Sequence, residues 1–179
     1  MRNIRIMYQY DGSKYYGFQR QKNKDTVQGD IEKIVFSKFN EKINMTSSGR
    51  TDRGVHALGQ VSNFSISKRI PLDAIKQQIN KTLRGKVKIL SIEEIRENFN
   101  ARFDAKRRTY LYVLKNESKI TPFEAPYVTS IKEEIDIDKL QLIFHPFIGM
   151  HDFSSFAKKD EAMRNPVREI YSIDCYYNK

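Results

Sequence analysis

The sequence predicts an α+β fold built from two ferredoxin-like (split βαβ) halves, the second incomplete, and three observations lead there. Residues 3–10 alternate apolar and polar with a period of two, as a half-buried strand does. Two later stretches, near 27–39 and 72–83, repeat apolar residues at helical spacing. The order strand, helix, strand, strand, helix, strand is complete by about residue 96, and a second strand-led pattern begins near Arg107 and stops short. The halves are expected at 1–100 and 101–179.

In the first half, Ile4, Ile6, Tyr8 and Tyr10 share one side of a strand that ends at the Asp11-Gly12-Ser13 turn. Asp25, with Gln28 three residues on, predicts a capped helix whose apolar stripe is Val27, Ile31, Ile34, Val35 and Phe39. Weaker strand signals cover 42–48 and 58–66. Pro71 suits a first helical turn, Leu72, Ile75, Ile79 and Leu83 form the second stripe, and Gly85 stops it before a strand through Val87, Ile89 and Ile92.

In the second half, Tyr110, Tyr112 and Leu114 alternate with Leu111 and Val113, which predicts a strand over 107–114. A long connection through 115–122 and Pro126 precedes a helix carrying Ile137, Leu140, Ile143, Phe144 and Phe147, limited by Pro146. After His151-Asp152-Phe153-Ser154-Ser155-Phe156 and a polar loop, a last strand is expected from Val167 to Tyr177. On the six-element plan this half lacks roughly its latter part, leaving strand edges and apolar faces that need cover.

Composition narrows the function classes. With 179 residues, 39% of them hydrophobic and 12% aromatic, the chain can bury a core and is not a solvated tail. A formal charge of +10 fits a polyanionic partner, because Lys and Arg that neutralise phosphates gain affinity through counterion release. Neither a bilayer-length apolar run nor a signal-peptide core is present, so a cytoplasmic location and no membrane partner are expected. Cys175 is the single cysteine, which excludes an internal disulfide. His56, His145 and His151 lack paired-ligand spacing, so no metal is expected; His151-Asp152 alone is a weak sign of a metal phosphohydrolase.

The densest chemistry lies in Ser48-Gly49-Arg50-Thr51-Asp52-Arg53-Gly54-Val55-His56-Ala57, one carboxylate between two arginines in a glycine-bounded loop. Core packing does not call for such a cluster. Two readings stand: a polar turn held by the Asp side chain, or an active-site loop. Gln60 and His56 read as supports of the loop. Arg2, Arg5, Arg20, Lys22, Lys24, Arg53, Arg102, Lys106, Arg107 and Arg108 are candidate phosphate contacts, with 106–108 the tightest cluster; the alternative for each is a solvated face.

Taken together the motifs resemble those of the TruA-type tRNA pseudouridine synthases. Tyr10-Asp11-Gly12-Ser13, Gly17-Phe18-Gln19-Arg20-Gln21 and Thr26-Val27-Gln28-Gly29 look like that family's opening. Gly49 to Ala57 with Gly59-Gln60-Val61 is similar to its catalytic loop, and Ala101-Arg102-Phe103-Asp104-Ala105 with Arg108, Tyr110 and Tyr112 to its central motif. His151 to Phe156 and Val167-Arg168 complete an ordered series over nearly the whole chain, far more specific than any one match.

The resemblance implies an isomerase without cofactor or metal that detaches a tRNA uridine from its ribose at N1 and rejoins it through C5, in the anticodon stem-loop. By motif position Asp52 is the essential aspartate, attacking either ribose C1′ or the uracil ring; flanking guanidinium groups suit an ionised nucleophile. Arg50 occupies the space left by the flipped base, its alternative being an ion pair with Asp52. Tyr110 stacks on the target uracil, its alternative being a core tyrosine. Apart from the resemblance, Arg53, Lys106, Arg107 and Arg108 are candidate contacts to RNA by their charge. Two half-sheets running side by side around a basic cleft, and a homodimer gripping tRNA, complete what the resemblance implies.

Three departures are visible. Arg53 stands where the family usually has alanine, and Leu83-Arg84-Gly85 replaces the more usual Leu-Pro. Family members also continue into a motif resembling Phe-Leu-x-x-Met-Val-Arg whose arginine pairs with the aspartate, so this chain is expected to be C-terminally truncated. The alternative function is accordingly a truncated, non-catalytic RNA-binding relative.

Overall fold

The structure, a computed structural model, describes residues 1–156 and 165–177. It divides into two compact units, Met1–Val113 with Thr121–Thr129, and Leu114–Ile120 with Ser130–Lys179. The class is α+β, with antiparallel sheets.

The first unit is built from β1 (Arg2–Tyr10), α1 (Val27–Phe39), β2 (Thr46–Ser47), β3 (Ala57–Ile66), α2 (Leu72–Thr82) and β4 (Val87–Ile95). The sheet order is β2-β3-β1-β4, every neighbouring pair antiparallel. β1 is central because its apolar side has most to bury. Ile4, Ile6 and Tyr8 are inaccessible, and one core cluster joins them to Ile31 and Val35 of α1, Ile75 and Ile79 of α2, Phe64 of β3 and Ile89 of β4. Both helical stripes therefore cover the same face of the sheet.

Helix α1 starts one residue later than expected. Thr26, in an extended conformation, is the N-cap and its hydroxyl accepts from the Gly29 N–H. Gln28 thereby becomes the second helical residue and cannot reach back to close a capping box with Asp25. It donates instead to Glu32 at 2.8 Å. Glu32 is 7% exposed and also accepts from the Met45 N–H at 3.0 Å and from Arg20 at 2.8 Å, which ties α1 to the approach to β2.

Two asparagines anchor the chain beyond β4. Asn3 donates to the carbonyls of Arg96 and Phe99, Asn63 donates to the Asn3 side-chain oxygen, and the Ala101 N–H donates to Asn63 at 2.9 Å. The Ala101-Arg102-Phe103-Asp104-Ala105 stretch is thus held to the sheet at its first residue, and Ala101 is buried.

The loop after β1 lies against the segment after β2, and two glycines permit it. A Cβ on Gly12 would sit 2.0 Å from the Val55 carbonyl oxygen. Gly17, at φ +105°, is backed by the Thr51–Arg53 main chain, whose Thr51 carbonyl accepts from the Phe18 N–H at 3.0 Å.

The strand expected over 107–114 does not form. Residues 105–113 belong to no sheet among the described residues, and Tyr110 and Tyr112 are 75% and 81% exposed. Alternation decides which side chains share a face, but a strand exists only where a partner ladder accepts its N–H and C=O groups. Regular pairing starts later, between β5 (Leu114–Asn116) and β6 (Thr129–Ile131).

In the second unit α3 (Ile137–Phe144) is capped by Asp136, whose carboxylate accepts from the Lys139 N–H, and gives way to a 3₁₀ turn at His145–Phe147, where Pro146 was expected to limit it. β7 (Gly149–Asp152) pairs antiparallel with β8 (Val167–Ile170). The last strand is shorter than expected because 173–175 turn to α3: the Gln141 side chain donates to the Ile173 carbonyl and accepts from the Cys175 N–H. The polar loop expected after Phe156 falls largely outside the described residues. Among the described residues no helix is long and apolar enough to cross a membrane.

Two outcomes follow for stability. Replacing Glu32 by Leu orphans the Met45 and Gln28 donors and should lower the unfolding free energy in urea by about 2–4 kcal/mol. Gly12→Ala should cost about 1–3 kcal/mol in the same titration, since the Val55 main chain must retreat from the new methyl group.

Candidate active site

The stretch between β2 and β3 is braced from both ends. On the near side the Ser48 N–H donates to the Val61 carbonyl, and buried Gln60 grips the first turn: its amide donates to the Gly49 carbonyl at 3.0 Å and its oxygen accepts from the Ser48 hydroxyl at 2.8 Å. Arg108 donates twice to the Ser48 carbonyl, through Nε at 2.9 Å and Nη2 at 2.5 Å. In the middle, the Thr51 hydroxyl meets the Tyr10 hydroxyl at 2.9 Å. A turn then closes from the Val55 N–H to the Asp52 carbonyl, with Gly54 at φ +84° supplying the left-handed residue.

On the far side His56 is the hub. Its Nδ1 accepts from the Gly12 N–H at 3.1 Å and lies 3.2 Å from the Asp11 carboxylate, while Nε2 meets the Pro126 carbonyl at 2.8 Å. The Tyr127 ring packs 4.8 Å from the imidazole, and its hydroxyl donates to Asp11 at 3.0 Å. Burial pushes the Asp11 carboxyl up, but hydrogen bonds from Ser13 and Tyr127 and the nearby His56 outweigh it and hold the group below its ordinary value. Asp11 therefore supports the folded site while ionised; that contribution is complete above its ordinary value and is lost as pH falls through the lowered one.

This bracing presents Arg50, Asp52 and Arg53 at the exposed tip. Among the described residues the Asp52 carboxylate accepts no hydrogen bond and forms no ion pair with either arginine, so the turn is held by main chain, Gln60, Thr51 and His56 rather than by the aspartate. The Arg53 guanidinium sits 4.6 Å from the centroid of the Tyr16 ring, and Lys24 approaches the same ring at 5.5 Å. Arg50 is solvent-exposed.

The remaining sequence candidates are placed differently. Tyr110 is exposed on the irregular 105–113 segment, and no contact among the described residues brings it to Asp52. Lys106, Arg107 and Arg108 are all exposed on the same segment, and Arg108 donates to the Ser48 carbonyl. His151 and Asp152 serve local turns, with Nε2 at the Ile148 carbonyl and the carboxylate accepting from the Ser154 N–H. No group of metal-ligating side chains gathers among the described residues. Sequence reasoning did not find Tyr127, which sits in a stretch read as a connection, nor Tyr16, whose cationic neighbours come from separate loops.

A family profile described as tRNA pseudouridine synthase matches residues 6–104, more than half of the chain, which takes in the first sheet from Ile6 of β1 to the end of β4 together with the braced loop. The chain is 38% identical over 172 residues to a tRNA pseudouridine synthase A of Caldicellulosiruptor bescii, covering 96% of this chain and 70% of the relative. It is 40% identical over 176 residues to the protein of that name from Caldicellulosiruptor saccharolyticus, covering 98% and 71%. The Dictyoglomus thermophilum protein of the same name is 40% identical over 181 residues, covering all of this chain and 74% of the relative. With a profile match over more than half of its length and relatives at 38–40% identity, the chain belongs to the tRNA pseudouridine synthase family.

Proposed function

We propose that Asp52 is the nucleophile with which this chain isomerises uridine to pseudouridine in the anticodon stem-loop of tRNA. The observation that carries the reading is the Asp52 carboxylate, open at an exposed tip whose main chain is fixed on both sides. A nucleophile needs an unshielded lone pair in a reproducible position, and this loop supplies both. Attack at ribose C1′ or at the uracil ring has the same balance. The N1–C1′ bond breaks, a C5–C1′ bond forms, C5 loses its proton, N1 ends protonated, and the carboxylate is released unchanged.

The other roles follow from reach and chemistry. A glycosidic bond inside a stem is reached by extruding the nucleotide, at a cost of a few kcal/mol. Arg50, beside Asp52 and exposed, is placed to fill the vacated space and to fork onto phosphate. Tyr110, exposed on the 105–113 segment, supplies a face for the extruded uracil. Arg53, Lys106 and Arg107 contribute phosphate contacts. Arg108 joins them through the loop it braces.

The architecture we assign is two ferredoxin-like halves, 1–100 and 101–179; the strand order β2-β3-β1-β4 with both helices on one face supports the first. A homodimer gripping one tRNA, in the cytoplasm, completes the reading.

Tritium release from tRNA labelled at uracil C5 tests it. The chain should release tritium, and Asp52→Asn should lower the rate by roughly three orders of magnitude or more, as loss of a nucleophile does. Unchanged turnover in that variant would refute the role of Asp52, and tRNA binding without release by the parent chain would leave an RNA-binding relative instead. For Arg50→Ala the deficit should be roughly 10- to 100-fold on a paired target uridine and clearly smaller opposite a mismatch, where extrusion costs less.

A further inference from the structure

We infer that Tyr16 is a stacking platform for a tRNA base flanking the extruded uridine, with Arg53 and Lys24 as its phosphate clamps. The inference rests on the tRNA reading above and extends it to residues outside the catalytic loop. Tyr16 is 47% exposed, although it sits between two aromatic neighbours, Tyr15 and Phe18, that are almost wholly buried. Its main chain is fixed: the N–H donates to the Asp25 carbonyl at 2.9 Å, and its carbonyl accepts from the Gln21 side chain at 3.0 Å. The next residue, Gly17, lies against the main chain of Thr51, Asp52 and Arg53. The Tyr16 main chain is therefore held beside the loop that carries the residue proposed to attack.

Two cations converge on that ring, Arg53 at 4.6 Å and Lys24 at 5.5 Å. As loop braces they would contribute little, since exposed cation–π pairs are weak. A half-exposed aromatic ring with cations over it is instead the combination that single-stranded nucleic acid recognises, the cations turning to the phosphates and leaving the ring face to a base. Pulling one nucleotide out of a stem leaves its neighbour without a stacking partner, and the half-exposed Tyr16 ring meets Arg53 of the loop proposed to do so. Arg53 links the two, lying next to Asp52 in the chain and over Tyr16 in space.

The chain has no tryptophan, so Tyr16→Trp installs a single indole reporter at the platform. Labelled anticodon stem-loop RNA is titrated into this variant, with binding followed by anisotropy of the label and stacking by the indole emission. Binding accompanied by strong quenching and by loss of iodide access to the indole is expected. Tyr16→Ala should weaken affinity roughly 5- to 100-fold, with Tyr16→Phe close to the parent, because the ring face and not the hydroxyl makes the contact. Saturable RNA binding with unchanged, iodide-accessible emission would overturn the platform while leaving the tRNA reading intact. Absence of any RNA binding by the parent chain would overturn both. Equal affinity in Tyr16→Ala, with its urea midpoint lowered, would reduce the Tyr16–Arg53 pair to a brace.

Discussion

The site depends on one close approach, the Asp11–Gly12 turn running beneath Val55. With hydrogen in place of a side chain at Gly12, the turn comes near enough for the Gly12 N–H to reach His56 and for Asp11 to meet both His56 and Tyr127. The turn after the first strand thereby fixes the far end of the loop that carries Asp52, while Gln60 and Arg108 fix its near end. Charge is then free to stand at the tip without being consumed in holding the tip together. A loop stabilised by its own Asp–Arg pair would have to break that pair to bind substrate, and part of the binding energy would go into the rupture.

The division of labour among the basic residues has the same logic. Some cations are structural: Arg20 pairs with buried Glu32, Arg2 and Arg5 pair with glutamates of β4, and Arg108 serves a main-chain carbonyl. Others, Arg50 and Arg53 among them, make no ion pair among the described residues and supply the surface potential that a net charge of +10 provides for a polyanion. Counting basic residues therefore overstates the RNA surface, and the partners of each one decide its share.

Much of the first sheet was legible in the sequence, because its strands and helices obey simple periods. The 3–10 alternation and the two helical stripes each found the face they implied, and the order of elements followed. The cap at Thr26 was missed by one residue, since Asp25 and Thr26 are both good caps and only the extended geometry of Thr26 decides between them. The 107–114 strand failed for a different reason: alternation carries no information about whether a neighbouring strand is present. At the site, Asp52, Arg50 and the supports Gln60 and His56 stood out by residue type and spacing. Tyr127 and Tyr16 did not, because contacts between residues far apart in sequence leave no periodic trace.

The most direct measurement of the central claim uses tRNA whose target uridine carries fluorine at C5. Fluorine cannot leave as the proton does, so an intermediate joined to the carboxylate should accumulate and survive gentle proteolysis. The account predicts a nucleotide adduct located by mass spectrometry on the peptide containing Asp52. An adduct on any other residue, or complete turnover of unsubstituted tRNA by a chain lacking the Asp52 carboxylate, would contradict it.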